Sequence, residues 1–541
     1  MASTLQNVKI SCRGGLDLRS TPQELLSRPG VASFLRNFET VSTGGYGRIK
    51  GFEPFGTTAV PGSGPIKGIH IFNESIMVAR GDHLYHTFDT DTWVQVNKLV
   101  TDADFATIEA AGATAMDTNA TDVRFDDYSH GTAEEDQMLI GVNGFDNAMF
   151  FKVNGTAHTN ATYTFKYLDD VTTGTPAGCK FVVYFRDQFY ISGQDETPST
   201  VYVSTIFDPE TWNGTNSLSI STGNPVTGLY PFRDNMIVFC ENSIFFLKDA
   251  NQGAAAVVLE PITKNIGCLN GDTIQEINGD LVYLAPDGIR TLAGTTRIDD
   301  VDISAISSLV RSVVRDLITD INDFELHSVV LREKAQYRLY YPYDDPATIG
   351  HLGLIGTLVY DDGGNLNWNW STTIDIAPQH VTEGLFGGVY VSLMASKNDG
   401  VLYQHDVGDS FNGDPINANF MSHPFDIGDP SLRKNIHRVR TYVKPSGPAN
   451  VEFSLEYSGY TDEDEDDPAP YILSEFNIPA IYGEATYDTG FRYDSRVVNI
   501  QVLNTEGSGF TVAVNYSSNS SLDRPYTIQG FDLDLIVAGK V

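Results

Sequence analysis

The sequence predicts an all-β chain: a six- or seven-bladed β-propeller with an N-terminal arm and a C-terminal β-sandwich-like domain. Three observations predict it. A short meander pattern recurs along the middle of the chain, about once per 45 to 60 residues, the spacing of propeller blades. The 541 residues include 49 Gly and 26 Tyr with 41% hydrophobic content, which fits a folded, turn-rich β protein. Beyond about residue 408 the pattern changes to some seven alternating strands in about 130 residues, a count that suits a small sandwich. The expected boundaries are 1–50, 51–407 and 408–541.

The clearest meander is Gly271–Leu292, GDTIQEINGDLVYLAPDGIRTL. Thr273–Ile277, Leu281–Leu284 and Ile289–Leu292 read as strands, separated by Asn278-Gly279-Asp280 and Pro286-Asp287-Gly288. Asn-Gly and Asp-Gly supply the positive φ angles of tight hairpins. Such a unit cannot bury both faces alone and must stack on others. Related units run over Gly68–Val96, Asp122–Val153, Lys180–Ser204, Gly228–Glu260, Leu326–Trp370 and Gly387–Val407.

Residues 1–50 do not read as a blade. A short strand (Val8–Cys12) precedes a helical turn that Thr21-Pro22-Gln23-Glu24 opens and Pro29-Gly30 closes. Thr101–Ala120 reads as a surface insertion. Ile303–Ile318 repeats apolar residues at i, i+3, i+4 and i+7, which predicts an amphipathic helix capped by Asp302 and laid over a blade. In the last region, strands are expected at Pro415–Asp426, Asn435–Val443, Val451–Tyr457, Tyr471–Ile478, Arg496–Leu503, Phe510–Tyr516 and Tyr526–Val537.

With 70 acidic against 35 basic residues, the formal charge is −35. A chain this acidic repels phosphate and cannot hold nucleic acid by counterion release. The four cysteines, Cys12, Cys179, Cys240 and Cys268, show no C-x-x-C pairing, which suggests folding in a reducing compartment. MASTLQNVKIS has no apolar signal-like core, and no apolar run approaches the ~20 residues of a membrane span.

Four constellations invite chemistry. Asp462–Asp467 lacks the spacing of a calcium loop and is expected to be solvated. His83 and His86, beside Asp82, are three apart and would point to opposite faces of a strand. The carboxylate pairs Asp126-Asp127, Asp169-Asp170, Asp299-Asp300, Asp344-Asp345 and Asp361-Asp362 are too many and too often at turns for any one to be singled out as a glycosidase pair. Arg433, Lys434, His437, Arg438, Arg440 and Lys444 are expected on both faces of one strand, either meeting the acidic surface of a neighbouring subunit or guarding a sheet edge. No catalytic, cofactor-binding or metal-binding residue is assigned, no cofactor is expected, and the chain is expected not to be an enzyme.

The order Gly14-Gly15, Thr21-Pro22, Asn37-Phe38-Glu39, Gly44-Gly45-Tyr46 and Arg48-Ile49-Lys50-Gly51-Phe52-Glu53 resembles the N-terminal stretch of tail tube, nozzle and hub proteins of short-tailed bacteriophages. Phe232–Cys240, Ser243–Phe246, Asn265–Cys268, the Ser304–Arg311 helix, His327–Tyr341 and Thr357–Trp370 are similar in kind and order to the stabilisation protein of lambdoid short-tailed phages. The resemblance spans about Gly14 to Val407 and lies in strand, turn and helix patterns. It implies a virion tail component assembled in the host cytoplasm: a sixfold ring below the portal and adaptor ring that carries a needle, plug or fibres. DNA would pass through its channel without specific binding. The competing reading is a carbohydrate-directed propeller, either a glycan-degrading enzyme or an adhesin.

Overall fold

The computed structural model describes residues 5–537 apart from 100–115, 130–136, 155–161, 169–176, 221–223, 249–256, 294–304, 320–325, 346–347, 361–362, 397–398, 430, 459–466, 475, 477, 480–490 and 493–497. Six small sheets form six propeller blades, numbered here in chain order. Blade 1 holds Ile66–Phe72, Ser75–Arg80, His83–Thr87 and Val94–Gln95. Blade 2 holds Arg124–Ser129, Gln137–Val142, Met149–Asn154 and Thr162–Tyr167, with Asn97–Lys98 added in parallel. Blade 3 runs from Phe181–Phe185 to Asp208–Ser219, and blade 4 from Val226–Phe232 to Val258–Thr263. Blade 5 has three antiparallel strands, Gln275–Ile277, Asp280–Ala285 and Gly288–Thr291, as the Gly271–Leu292 pattern predicts. Blade 6 holds Pro378–Phe386, Val389–Ser396 and Leu402–His405, and is completed from the other end of the propeller by Phe52–Pro54.

Turn chemistry explains the repetition. The first two strands of blades 1, 3, 5 and 6 are joined by two residues at positive φ: Asn73-Glu74, Arg186-Asp187, Asn278-Gly279 and Gly387-Gly388. This geometry matches the right-handed twist of paired strands. Blade 4 turns at Arg233-Asp234, where Arg233 alone has positive φ. Neighbouring hairpins are also tied together. The Arg186 guanidinium donates to Asp234 O at 2.7 Å, and that of Arg233 to Gly279 O at 2.9 Å.

Between blades 5 and 6 the ring is filled by His327–Leu331, Gln336–Asp345, Thr348–Tyr360 and Leu366–Ile374. These strands are not a separate blade. They continue through Ala32–Arg36 into Ala418–Ser422, Thr511–Ser518, Val451–Ser458 and Tyr471–Leu473, which makes one nine-stranded sheet. Facing its second half is a seven-stranded sheet built on Tyr526–Val537, with Leu5–Ser11 and Tyr46–Arg48 on one side and Lys434–Pro445 on the other. Phe420, Phe453, Val514 and Tyr516 of the first sheet pack against Val439, Val443, Phe531 and Leu533 of the second, giving the sandwich. Residues 5–48, expected as an arm, thus supply strands to both large sheets.

The helix is shorter than its periodicity. A 3-10 turn, Ser308–Val310, leads into Arg311–Thr319; Asp302 and Ile303 lie outside the described residues. Val310, Val314 and Leu317 are buried against Val282, Leu284 and Ile289, so the helix covers three-stranded blade 5 where a fourth strand would be missing. Each buried aliphatic side chain contributes about 1.5–3 kcal/mol.

One close approach locks the two ends of the propeller. A Cβ on Gly51 would fall 1.8 Å from Ser410 O, a backbone atom that cannot move aside. Gly51→Ala is expected to cost about 1–3 kcal/mol by overpacking, seen as a lower urea midpoint.

Candidate functional site

Alternation in the first strand of each unit turns successive side chains toward the two neighbouring blades, and several of these near the propeller axis are ionisable. At the end where the inner strands begin, Arg124 of blade 2 crosses to Asp272. Its Nε donates to Oδ1 at 2.9 Å and its Nη2 to Oδ2 at 2.5 Å, a two-pronged pairing. Asp272 sits in the 3-10 turn Gly271–Thr273, where the Asn270 side chain accepts from its N–H at 2.7 Å. Asp122 lies 3.7 Å from the same guanidinium. His327 and His380 stand beside this group with ring centroids 4.9 Å apart, and His380 Nε2 is 3.4 Å from Asp122 Oδ1. Further along the axis, His70 Nε2 meets Asp127 Oδ1 at 2.6 Å, and Asp126 accepts the Tyr184 N–H at 2.6 Å.

Burial and pairing divide these groups. Burial raises the Asp272 carboxyl, but the charge and hydrogen bonds of Arg124 outweigh it and hold that carboxyl below its ordinary value. Asp126 has no such partner, and burial pushes it up to about 6. Burial also raises Asp122. The same desolvation drives His327 and His380 down to about 3, so both are neutral at pH 7. His70 moves the other way, because its bond to Asp127 overcomes its burial.

The result is a polar spindle that ties blades 1, 2, 5 and 6 and strand His327–Leu331 together. Beside it opens a cleft of about 510 Å3 lined by Pro65, Lys67, Asp82, Thr118–Thr121 and Gln379. Lys67 donates to Thr118 O at 3.3 Å, and the Gln379 side-chain oxygen is buried with no hydrogen bond among the described residues.

The residues singled out in the sequence lie mostly elsewhere. Asp82 pairs with its neighbour His83 at 2.5 Å, while His86 is buried against Phe88 and Tyr163. Among the described residues no group of three His, Cys, Asp or Glu could hold a metal ion. Among the described carboxylate pairs, Asp126-Asp127 belongs to this group, with Asp126 turned to blade 3 and Asp127 to blade 1. Asp344-Asp345 ends a strand, and Asp169-Asp170, Asp299-Asp300 and Asp361-Asp362 lie outside the described residues, as do Asp462–Asp466. Arg124, Asp272, His327 and His380 were not singled out. Their only sequence signal is a polar residue near the start of a meander's first strand.

The basic strand differs from expectation. Lys434–Pro445 is an interior strand, between Tyr526–Val537 and Asn499–Asn504, and not an edge. A register shift between Ile436 and Arg438 takes His437 out of alternation. Ile436, Val439, Thr441 and Val443 then all face the core, while Arg438, Arg440, Tyr442 and Lys444 all face outward. Lys434 is the exception, buried with its ammonium donating to Phe510 O at 2.9 Å.

No family model matches this chain, and no curated protein does. Among solved structures, the chain is similar to the extracellular domain of a hybrid two-component system of B. thetaiotaomicron, at 8% identity over 65% of this chain and 39% of that one, with a TM-score of 0.34. It thus spans about two fifths of that chain's length. An ancestral GH74 enzyme matches at 10% identity, covering 73% of this chain and 59% of that one, TM-score 0.35. An exo-beta-1,3-galactanase from Phanerochaete chrysosporium, solved with galactose, matches at 11% identity over 90% and 100%, TM-score 0.24. At these values the likenesses carry no argument about what this chain does. The sheet order by itself establishes an all-β propeller.

Proposed function

We propose that this chain is a structural subunit of a short-tailed phage tail, a nozzle or hub assembled in the host cytoplasm and closed into a sixfold ring below the portal and adaptor ring. The observation that carries this reading is where the resembling N-terminal residues sit: at the joint between propeller and sandwich. Tyr46 Oη donates to Gly30 O at 2.8 Å and accepts from Gly15 N at 3.1 Å. Asn37, at φ 53°, accepts from Ile374 N and donates to Asn417 O. Glu39 binds Lys334 and Arg338. A shared nine-stranded sheet and a clamped joint give a body without a hinge, as a load-bearing ring subunit needs. A net charge of −35 suits a conduit that must repel DNA rather than grip it. The engagement of Arg124 with Asp272 supports a spindle more than a reaction centre.

The test is electron microscopy of the purified chain and of virions carrying it. Closed rings, with the chain placed in the tail, are the expected result; monomers, and a location outside the tail, would refute the reading. A second reading, a carbohydrate-directed propeller, draws on Asp126: burial among the inner strands pushes it up to about 6, toward the raised range of a glycosidase acid, while its carboxylate accepts the Tyr184 N–H. Release of reducing sugar from host lipopolysaccharide or capsule, abolished in Asp126→Asn, would establish that reading instead.

A further inference from the structure

We infer that the outward face of Lys434–Pro445 and Asn499–Asn504 in the seven-stranded sheet is the contact surface for a second copy of this chain, which presents its acidic surface to it. This deepens the ring proposed above and rests on that reading.

Directly opposite residues of antiparallel strands share a face, so the register fixes its composition. One row is Asn7, Asp534, Arg438 and Asn504; the next is Lys9, Asp532, Arg440 and Val502; the third is Ser11, Gly530, Tyr442 and Ile500. The two aspartates are satisfied within the face. Asp534 takes two hydrogen bonds from Arg440, at 3.0 and 2.6 Å, and one from Asn7 at 2.7 Å; Asp532 accepts from Tyr442 Oη at 2.8 Å. Arg438, Lys444 and Lys9 are exposed, and among the described residues Arg438 hydrogen-bonds Asn504, at 3.4 Å, and lies in the field of Asp534. The face is therefore cationic at its surface although the chain carries twice as many acidic as basic residues.

Beside these cations two β-branched side chains stand in solvent, Ile500 at 46% and Val502 at 54% exposure. They belong to the outermost strand of the sheet among the described residues, and Asn499–Asn504 carries no charge, proline or other guard. Solvation alone accounts for exposed lysines but not for aliphatic residues set between arginine and tyrosine. That mixture is the composition of a protein contact. At one end of the face His437, Arg438, Asn504, Thr505, Glu506 and Asp534 line a hollow of about 450 Å3, open to an entering side chain. Charge complementarity names the occupant. With 70 acidic residues against 35 basic, another copy offers carboxylates in excess, and a head-to-tail contact of unlike patches is what closes a ring.

The experiment is mass photometry of the full chain against Arg438→Glu/Lys444→Glu and Val502→Glu, with thermal unfolding of each to establish that it folds. The wild type is expected to assemble, less at high salt, and each variant to assemble about ten-fold or more weakly. Zero-length carbodiimide cross-linking of the wild type adds a test that needs no variant: Lys444 or Lys9 should join to Asp or Glu of another copy. Folded variants that assemble like the wild type, or cross-links confined to other lysines, overturn this face while leaving the ring intact. A wild type that stays monomeric overturns this inference, and virion localisation then decides the tail reading separately.

Discussion

Arg338→Ala is expected to destabilise the protein by about 3–5 kcal/mol, the cost of leaving buried charges without their partner. Arg338 has 0% side-chain exposure and holds three parts of the chain at once. Its Nη2 donates to Glu39 at 2.9 Å, from the N-terminal segment, and to Asp406 at 3.1 Å, from the end of blade 6; its Nη1 is 3.2 Å from His405 Nε2. Lys334 bridges the same two carboxylates at 2.8 Å. Burial would raise Asp406, but Arg338 and Lys334 outweigh it and bring it to about 2. Removing the guanidinium leaves two buried carboxylates to one lysine, at the joint of propeller and sandwich. Arg338→Lys should recover little, since an ammonium cannot reproduce the fork. Urea unfolding measures both, and the double variant with Glu39→Gln should lose less than the sum of the two single losses. Wild-type stability in Arg338→Ala would mean that this network bears no load.

Acid is the second large lever. Burial lowers His86 to about 4 and His327, His380 and His405 to about 3. A depressed histidine stays neutral in the fold while the unfolded chain takes up a proton near pH 6.5. Between about pH 6.5 and 3 the unfolded state therefore binds more protons, and stability falls as pH falls. Asp126, raised to about 6, the raised Asp122, Glu456 and Asp523, and His70, also raised, oppose this: they favour the folded state at low pH and lose that contribution as pH rises through their folded values. The four histidines act together with the depressed carboxyls Asp17, Asp272, Asp406 and Asp534, whose stabilisation is lost as pH falls, so the melting temperature should drop from pH 7 to 4. His405 carries a further penalty. Its Nε2 faces Arg338 and the Tyr340 hydroxyl at 2.6 Å, so a proton there meets the guanidinium. His86, with neither ring nitrogen hydrogen-bonded, gives the cleanest check. His86→Phe should stabilise increasingly as pH falls from 6.5, by on the order of 3 kcal/mol near pH 4, and flatten the profile. A profile unchanged by that substitution would place the acid sensitivity elsewhere.

Local chemistry was enough to determine the meanders, because alternation and the Asn-Gly, Gly-Gly and Pro-Asp-Gly turns are properties of neighbouring residues. Blades 1 and 4 were legible as four strands each. Asp208–Ser219 of blade 3 and Pro378–Phe386 of blade 6 were not, since both are polar and alternate weakly; Thr162–Tyr167 of blade 2, TYTFKY, alternates strictly and was readable but missed. Strand pairing across hundreds of residues was invisible for another reason. Phe52–Pro54 on Leu402–His405, and Leu5–Ser11 on Tyr526–Val537, are chosen by which edges the closed ring leaves open. A single extra residue at His437 puts Arg438, Arg440 and Lys444 on one face, where charges on both faces were expected, and no local signal marks such a bulge. The axial cluster is the extreme case: Arg124, Asp272, His327 and His380 lie up to 256 positions apart and are ordinary polar residues until the blades close around one axis. Their pairing and burial, and the neutrality of both histidines, come from that closure, because desolvation is a property of the assembled fold and not of the chain.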